Sequence, residues 1–106
     1  MAIAFEERRN FVVAALNAID GISANTPHGA FYIFPKIDGL FGRQAHGKVL
    51  RTSAEVVGYF LDEAGVALVP GDAFGDDRYM RLSYASSMAE LEAGLGRIAQ
   101  AVQQLT

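Results

Sequence analysis

The sequence contains no cysteine, which excludes a disulfide framework and any metal site built on thiolates. It also has no excess of basic residues: nine lysines and arginines stand against twelve aspartates and glutamates, a net charge of -3. No basic patch that could neutralise phosphates is expected, so we predict no nucleic-acid binding. No apolar run reaches the length of a membrane span, and the opening MAIAFEERRN lacks a signal-peptide layout. We therefore expect a cytoplasmic protein with no membrane contact.

The length of the chain and its first helical segment indicate a single domain that is part of a longer protein. A length of 106 residues allows one domain, residues 1–106. Phe5 to Ile19 predicts a helix, because Phe11, Ala15 and Ile19 recur every four positions and Asp20-Gly21 ends the pattern. No convincing N-cap precedes this segment, so we expect the native helix to begin earlier, in a longer chain.

Two capping boxes predict two further helices. Thr52-x-x-Glu55 opens the first, which Gly65 ends, and Ser87-x-x-Glu90 opens the last. The apolar faces expected to pack against the core are Val56, Val57, Phe60, Leu61 and Ala64 in the former, and Met88, Leu91, Leu95, Ile98 and Val102 in the latter.

The remaining apolar segments predict short strands. Residues 21–23 and 29–34 predict two strand segments linked through Thr26-Pro27. The second segment is aromatic and β-branched on both faces, which is typical of a strand covered on both sides. Residues 66–69 predict a strand that Pro70-Gly71 breaks, and residues 79–85 resume with period-two alternation. The pattern predicts an α+β fold, with three helices covering a small, mainly antiparallel sheet.

The segment Asp38 to Arg51 contains glycines and basic residues but has no period of its own. Inside a compact domain, a long segment without a secondary-structure pattern usually forms a lid, contacts a partner or is disordered. We therefore predict a mobile loop. Its His46 has no second histidine or carboxylate at ligand spacing, and His28 stands equally alone. We therefore predict no metal site and no catalytic role for either histidine.

A lone arginine, Arg81, lies in the apolar strand predicted after the glycine-rich turn of residues 70–75. The alternation places Arg81 on one face of the strand, with Tyr79 and Ser83, and puts Met80, Leu82 and Tyr84 on the other. A guanidinium held on a strand fits a carboxylate bidentately, which makes Arg81 a candidate anion receptor. A surface ion pair with a nearby aspartate, Asp76 or Asp77, is the alternative, and the residues alone leave both open.

Four stretches of the chain together resemble a known family. They are FEERRNFVVAALNAI, GAFYIFPKIDGL, FLDEAGVALVPGDAFG and RLSYA, the last followed by a helix. In order and spacing they resemble the C-terminal portion of class I aminotransferases, the fold-type I enzymes that use pyridoxal 5'-phosphate. The long segment Asp38 to Arg51 makes the chain similar to the bacterial aspartate aminotransferase branch, some of whose members also transaminate prephenate.

The resemblance implies specific roles for two positions. In the family, the arginine of the R-[LIV]-S-[YF]-A stretch binds the α-carboxylate of the amino-acid substrate, a role that falls on Arg81. The aromatic residue of the GAFY stretch lies near the substrate, which implies Phe31 or Tyr32 as a pocket wall. Plain core packing is the alternative for either aromatic residue.

The resemblance covers the small domain alone. Cofactor chemistry in this family needs a lysine for the Schiff base, and neither Lys36 nor Lys48 lies in an S-x-x-K segment. The family pattern therefore implies that the cofactor ligands belong to a large domain absent from this sequence. It also implies amino-acid and 2-oxo-acid substrates and a homodimer for the full-length enzyme. We expect the isolated chain to be inactive.

Two kinds of function remain to be distinguished. In the first, the chain is the small domain of an aspartate-type aminotransferase, where Arg81 clamps the substrate and domain closure excludes water. In the second, it is a stand-alone α+β module that binds a small carboxylate ligand or a protein partner through Arg81. An unusually apolar surface on one side would favour the first, since a severed interdomain face stays exposed.

Overall fold

The computed structural model describes residues 2–25, 32–84 and 87–106, with the backbone alone for residues 2–5. These residues form three α-helices and five short strands, an α+β fold with antiparallel strand pairing, which confirms the predicted fold class. The elements are α1 (Ala2–Asn17), β1 (Tyr32–Ile33), β2 (Gln44–Ala45), β3 (Lys48–Val49), α2 (Ser53–Ala64), β4 (Val69–Pro70), β5 (Met80–Ser83) and α3 (Met88–Gln103). No helix among the described residues has both the length and the apolar character needed to cross a membrane.

Strand β5 is the centre of a three-stranded antiparallel sheet with the order β1-β5-β4. Opposite residues in the register are Ile33 and Leu82 between β1 and β5, and Val69 and Arg81 between β4 and β5. Ile33 and Leu82 are both buried, so this pair fixes which face of the sheet meets the core. The predicted alternation is confirmed, because the buried side chains of this stretch are Met80, Leu82 and Tyr84.

Helices α2 and α3 begin at the predicted caps. The side chain of Thr52 accepts a hydrogen bond from the backbone N–H of Glu55, and that of Ser87 accepts one from Glu90. Helix α2 ends at Gly65, whose φ of 66° is the left-handed conformation typical of a glycine C-cap. These capping contacts are local in sequence, which is why the residue pattern predicts them.

The buried face of α2 differs from the prediction at two large side chains, Leu61 and Tyr59. Leu61, expected in the core, is 52% exposed, whereas Tyr59 is buried. The Tyr59 hydroxyl donates to the backbone carbonyl of Ala101 in α3 at 2.6 Å. Burial raises the pKa of Tyr59, so the hydroxyl stays protonated and remains a donor. A polar end that finds a partner on α3 allows the tyrosine to be buried here.

Helix α1 is also displaced from its predicted boundaries and face. It spans Ala2–Asn17 rather than residues 5–19, and its end is closed by Asn17, whose side chain exchanges two hydrogen bonds with the backbone of Ala24. The fully buried residues of this helix are Val12 and Leu16, while the predicted Phe11 and Ala15 are only partly buried. The buried face of the helix is therefore shifted by one residue, from the predicted Phe11 and Ala15 to Val12 and Leu16.

Several predicted strands are shorter than expected. Residues 21–23 contribute only an isolated bridge, between Ser23 and Lys36, and residues 29–31 lie outside the described residues. Residues 66–68 are not strand, and Pro70, predicted to break the strand, is part of β4. Proline is tolerated there because β4 is an edge strand of this sheet, where a missing N–H need not leave a ladder partner unpaired.

The prediction of a structureless loop from Asp38 to Arg51 is wrong. The segment begins with a short 3-10 helix, Asp38–Leu40, and continues into a hairpin of β2 and β3. The hairpin turns through His46 and Gly47, whose φ angles of 52° and 81° match a two-residue turn with both central residues left-handed. Two-residue strands are too short to display alternation, and His-Gly is not the Asn-Gly pair that signals such a turn.

The hairpin and the residue before it contact α2 and the segments that follow α1 and α3. The Arg43 guanidinium contacts the Asp20 carboxylate just after α1 at 2.7 Å, and the backbone N–H of Thr106, after α3, donates to the carbonyl of Gln44 at 3.0 Å. Toward α2, the exposed His46 lies 2.5 Å from the Glu63 carboxylate. His46 is therefore partnered rather than purely solvated, and His28 lies outside the described residues.

The neighbouring residues Phe60 and Leu61 provide a test of the helix face, since Phe60 is 0% and Leu61 52% exposed. We expect Phe60→Ala to lower the free energy of unfolding by about 3–5 kcal/mol, because it leaves a core cavity. Leu61→Ala should lower it by less than about 1 kcal/mol, since little buried area is lost. Urea unfolding of both variants measures the difference, and equal losses would show that α2 buries the face predicted from the sequence.

Candidate functional site

Arg81 lies on the central strand of the sheet, on the face that points away from the core. Its neighbours in β5, Met80 and Leu82, are buried, whereas Arg81 itself is only half-buried. The Arg81 Cζ atom lies 4.5 Å from the centre of the Tyr32 ring on β1. The structure thus places the predicted anion receptor on an open face, held by a strand rather than by a loop.

The aspartates that were the alternative partners of Arg81 are engaged elsewhere. Arg78 donates to both carboxylate oxygens of Asp76, at 3.0 and 2.9 Å, and these hydrogen bonds hold the pKa of Asp76 below its usual range. Asp77 Oδ1 accepts hydrogen bonds from the Ser53 hydroxyl at 2.6 Å and the Ser53 N–H at 3.1 Å. Within residues 2–25, 32–84 and 87–106, no ion pair neutralises Arg81.

Aromatic side chains are exposed on the same face of the sheet as Arg81. Tyr32 and Phe34 flank the buried Ile33, so period-two alternation directs both away from the core. The Phe34 ring meets Phe74 edge-on, with 5.3 Å between ring centres. Tyr32, Phe34 and Phe74, which we call the aromatic patch, are 42%, 47% and 40% exposed. The expectation that the strand of residues 29–34 is covered on both faces is therefore wrong for its described part.

The turn before β5 is packed too tightly for any residue except glycine at its first position. Gly71 opens the 3-10 helix Gly71–Phe74, and its carbonyl accepts the N–H of Asp76 at 2.9 Å. A Cβ atom added to Gly71 would collide with the backbone carbonyl oxygens of Asp76 and Tyr79. The turn leads into β5 rather than into a helix N-terminus, so it has the wrong geometry for a phosphate cradle.

A buried serine ties this turn to helix α2. Ser53, the first residue of α2, is fully buried, and its hydroxyl donates to Asp77 while accepting a longer contact from the N–H of Asp72 at 3.4 Å. The Asp77 carboxylate also lies at the N-terminus of α2, where negative charge is favourable. No local pattern signals this contact, because Ser53 and Asp77 are 24 positions apart.

The described residues do not fit a pyridoxal phosphate site. The two lysines of the sequence are the half-buried Lys36, 3.8 Å from Asp38, and the exposed Lys48, 3.5 Å from Glu55. Neither points into an enclosed site where a Schiff base would be protected from water. No group of three metal-ligating side chains occurs in the part of the chain that the structure describes. Phe31, the other candidate pocket residue, lies outside that part.

Comparison with known proteins assigns the chain to one family. A family model described as aminotransferase class I and II matches residues 1–98. An aspartate aminotransferase of Rhizobium meliloti is 46% identical over 96% of this chain, which corresponds to 25% of that enzyme. A bifunctional aspartate aminotransferase and glutamate/aspartate-prephenate aminotransferase of Petunia hybrida is 42% identical over 96% of this chain and 22% of its own length.

The fold gives the same assignment. The crystal structure of the aspartate aminotransferase from Rhizobium meliloti superposes with a TM-score of 0.96 and 45% identity, covering 98% of this chain and 26% of that one. The chain thus spans about a quarter of the length of the relatives it matches.

The close packing at Gly71 can be tested by adding one methyl group. We expect Gly71→Ala to lower the free energy of unfolding by about 3 kcal/mol or more, because the backbone carbonyls it meets cannot move aside without distorting β5. Gly58→Ala is the matched control: it lies within α2 with no atom within 4 Å of an added Cβ. That change should stabilise by about 0.5–1 kcal/mol. Urea unfolding that showed both changes to be neutral would contradict the tight turn.

Proposed function

Because the chain belongs to the class I and II aminotransferase family, we propose that it is the C-terminal small domain of an aspartate-type aminotransferase. The full-length enzyme would transfer an amino group between an amino acid and a 2-oxo acid, in the cytoplasm. The observation that carries the proposal is Arg81, presented on the open face of a central strand without a carboxylate partner among the described residues.

Arg81 would bind the α-carboxylate that the amino-acid and 2-oxo-acid substrates share. A guanidinium offers two parallel N–H donors to the two oxygens of a carboxylate, which sets both its position and its orientation. The neighbouring aspartates do not compete for these donors, because Asp76 is held by Arg78 and Asp77 by Ser53. A strand in the middle of a sheet is a rigid support, so binding here costs little reorganisation.

The aromatic patch would be the face that meets the large domain. Three large side chains, Tyr32, Phe34 and Phe74, are about half exposed beside Arg81, and a contiguous apolar patch of this kind usually marks an interaction surface. Closure of the large domain over the patch would remove water from around the carboxylate and strengthen its contact with Arg81. The patch favours this function over a stand-alone module that binds only a small carboxylate, which would have no reason to leave it uncovered.

The rest of the full-length enzyme would supply what this chain lacks. The relatives are about four times as long as the chain, and its own lysines form ion pairs. We therefore place the pyridoxal phosphate site in the large domain, with a homodimer as the assembled form. The part of this chain is to bind and orient the substrate carboxylate.

In the full-length enzyme, we expect Arg81→Ala to lower kcat/KM for both half-reactions by a factor that corresponds to about 2–5 kcal/mol. Arg81→Lys should recover little, because an ammonium cannot reproduce the bidentate fork. Arg43→Ala is the control, since Arg43 pairs with Asp20 and not with an aspartate near Arg81. It should leave the kinetics nearly unchanged. Kinetics for the two half-reactions, measured with the melting temperature, test the role, and near-wild-type values for Arg81→Ala would refute it.

The isolated chain should neither retain pyridoxal phosphate nor transaminate, because its lysines lie outside any enclosed site. The measurement is the absorption of lysine-bound cofactor after incubation and dialysis, with the full-length enzyme as the positive control. Non-specific reaction at the surface can be recognised with a Lys36→Arg, Lys48→Arg double variant. A dialysis-resistant band together with transaminase activity in the unmodified chain would contradict the expectation.

A further inference from the structure

We propose that Tyr32 is a positioning residue for Arg81: its ring covers one face of the guanidinium and fixes the plane in which the arginine meets a carboxylate. The proposal rests on the function proposed above, in which Arg81 is the carboxylate receptor. The observation behind it is the distance of 4.5 Å between the Arg81 Cζ atom and the centre of the Tyr32 ring. That distance is well within the range of a cation–π contact.

A stacked ring leaves the binding groups of the arginine free. The five N–H donors of a guanidinium lie in its plane, whereas the ring contacts the flat face of the group. Tyr32 can therefore restrain Arg81 without using any donor that a carboxylate needs. An ion pair with an aspartate would orient the arginine equally well, but it would occupy those donors and neutralise the charge.

The contact follows from the register of the sheet. Tyr32 lies opposite Ser83, two residues from Arg81 on the same face, so the two side chains are diagonal neighbours across β1 and β5. The adjacent pair, Ile33 and Leu82, is buried and prevents the strands from slipping. The sheet thus brings the ring to the arginine, independently of any substrate.

Tyr32 provides the ring contact to the Arg81 guanidinium in the described part of the chain. Asp76 and Asp77 are engaged by Arg78 and Ser53, so they do not hold the guanidinium. An arginine side chain loses much rotational freedom when it binds a ligand, and a ring that already limits this freedom reduces that cost. The restraint acts before substrate arrives, and it acts alike on ground state and transition state.

The test uses the full-length enzyme with Tyr32→Leu and Tyr32→Phe. Substrates are L-aspartate and its 2-oxo acid, oxaloacetate, and succinate serves as a non-reacting dicarboxylate whose dissociation constant is measured directly. We expect Tyr32→Leu to raise KM for both substrates and the dissociation constant of succinate about fivefold to tenfold, with kcat within about twofold. Tyr32→Phe should keep both KM values and the dissociation constant of succinate near those of the wild type, because phenylalanine retains the ring.

Tyr79→Leu is the matched control, because it removes a second tyrosine ring that contacts an arginine. Arg78 Cζ lies 5.7 Å from the centre of the Tyr79 ring, and this contact does not involve Arg81. The variant should leave KM for both substrates within about twofold of wild type. A rise in KM as large as that of Tyr32→Leu would show a general effect of losing a tyrosine from this sheet, and would overturn the proposal.

The remaining outcomes separate this proposal from the one on which it rests. If Tyr32→Leu binds succinate as wild type does while Arg81→Ala does not, Tyr32 has no positioning role and Arg81 keeps its function. If Tyr32→Phe loses as much as Tyr32→Leu, the hydroxyl rather than the stacked ring acts, and the proposal is wrong. If Arg81→Ala itself leaves KM and succinate binding unchanged, both proposals fail together.

Discussion

The register of the central strand β5 is the constraint on which the site depends. The strands of this sheet are only two to four residues long, so few ladder hydrogen bonds hold them. Burial of the opposed pair Ile33 and Leu82 sets the pairing instead, because a slip of one residue would expose both. The same slip would direct Arg81 into the core, where an unpaired charge is very unfavourable. The hydrophobic pair therefore keeps the arginine on the open face.

A second set of contacts, between the turn that precedes β5 and helix α2, fixes the position at which β5 begins. Gly71 allows the turn to close against the carbonyls of Asp76 and Tyr79, and Ser53 holds the Asp77 carboxylate at the start of α2. These contacts have a consequence for electrostatics as well as for geometry. By engaging Asp77, and with Asp76 held by Arg78, the fold leaves the charge of Arg81 available to a ligand. Both acidic residues near Arg81 thus have structural partners, which keeps them from pairing with the arginine.

The aromatic patch leaves large side chains exposed to water although the fold has a well-packed core. Tyr32 and Phe34 lie on the face of the sheet opposite the core, where Tyr32 contacts Arg81 and Phe34 contacts Phe74. The chain spans about a quarter of the length of its relatives, so most of the surface that the proposed enzyme would place against this face is outside the chain. In the proposed enzyme, one face of the sheet stabilises the domain and the other closes over the substrate.

The sequence alone determined the features that depend on contacts near in the chain. Both capping boxes, the glycine stop at Gly65 and the alternation that places Arg81 opposite the core belong to this class. Only the tertiary structure decided which aspartate pairs with which partner, because Ser53 and Asp77 meet across 24 positions. It also decided that Tyr59 rather than Leu61 is buried, since the partner of the hydroxyl lies on another helix. Distant contacts leave no local pattern, and short elements such as the His46-Gly47 hairpin are too brief to show one.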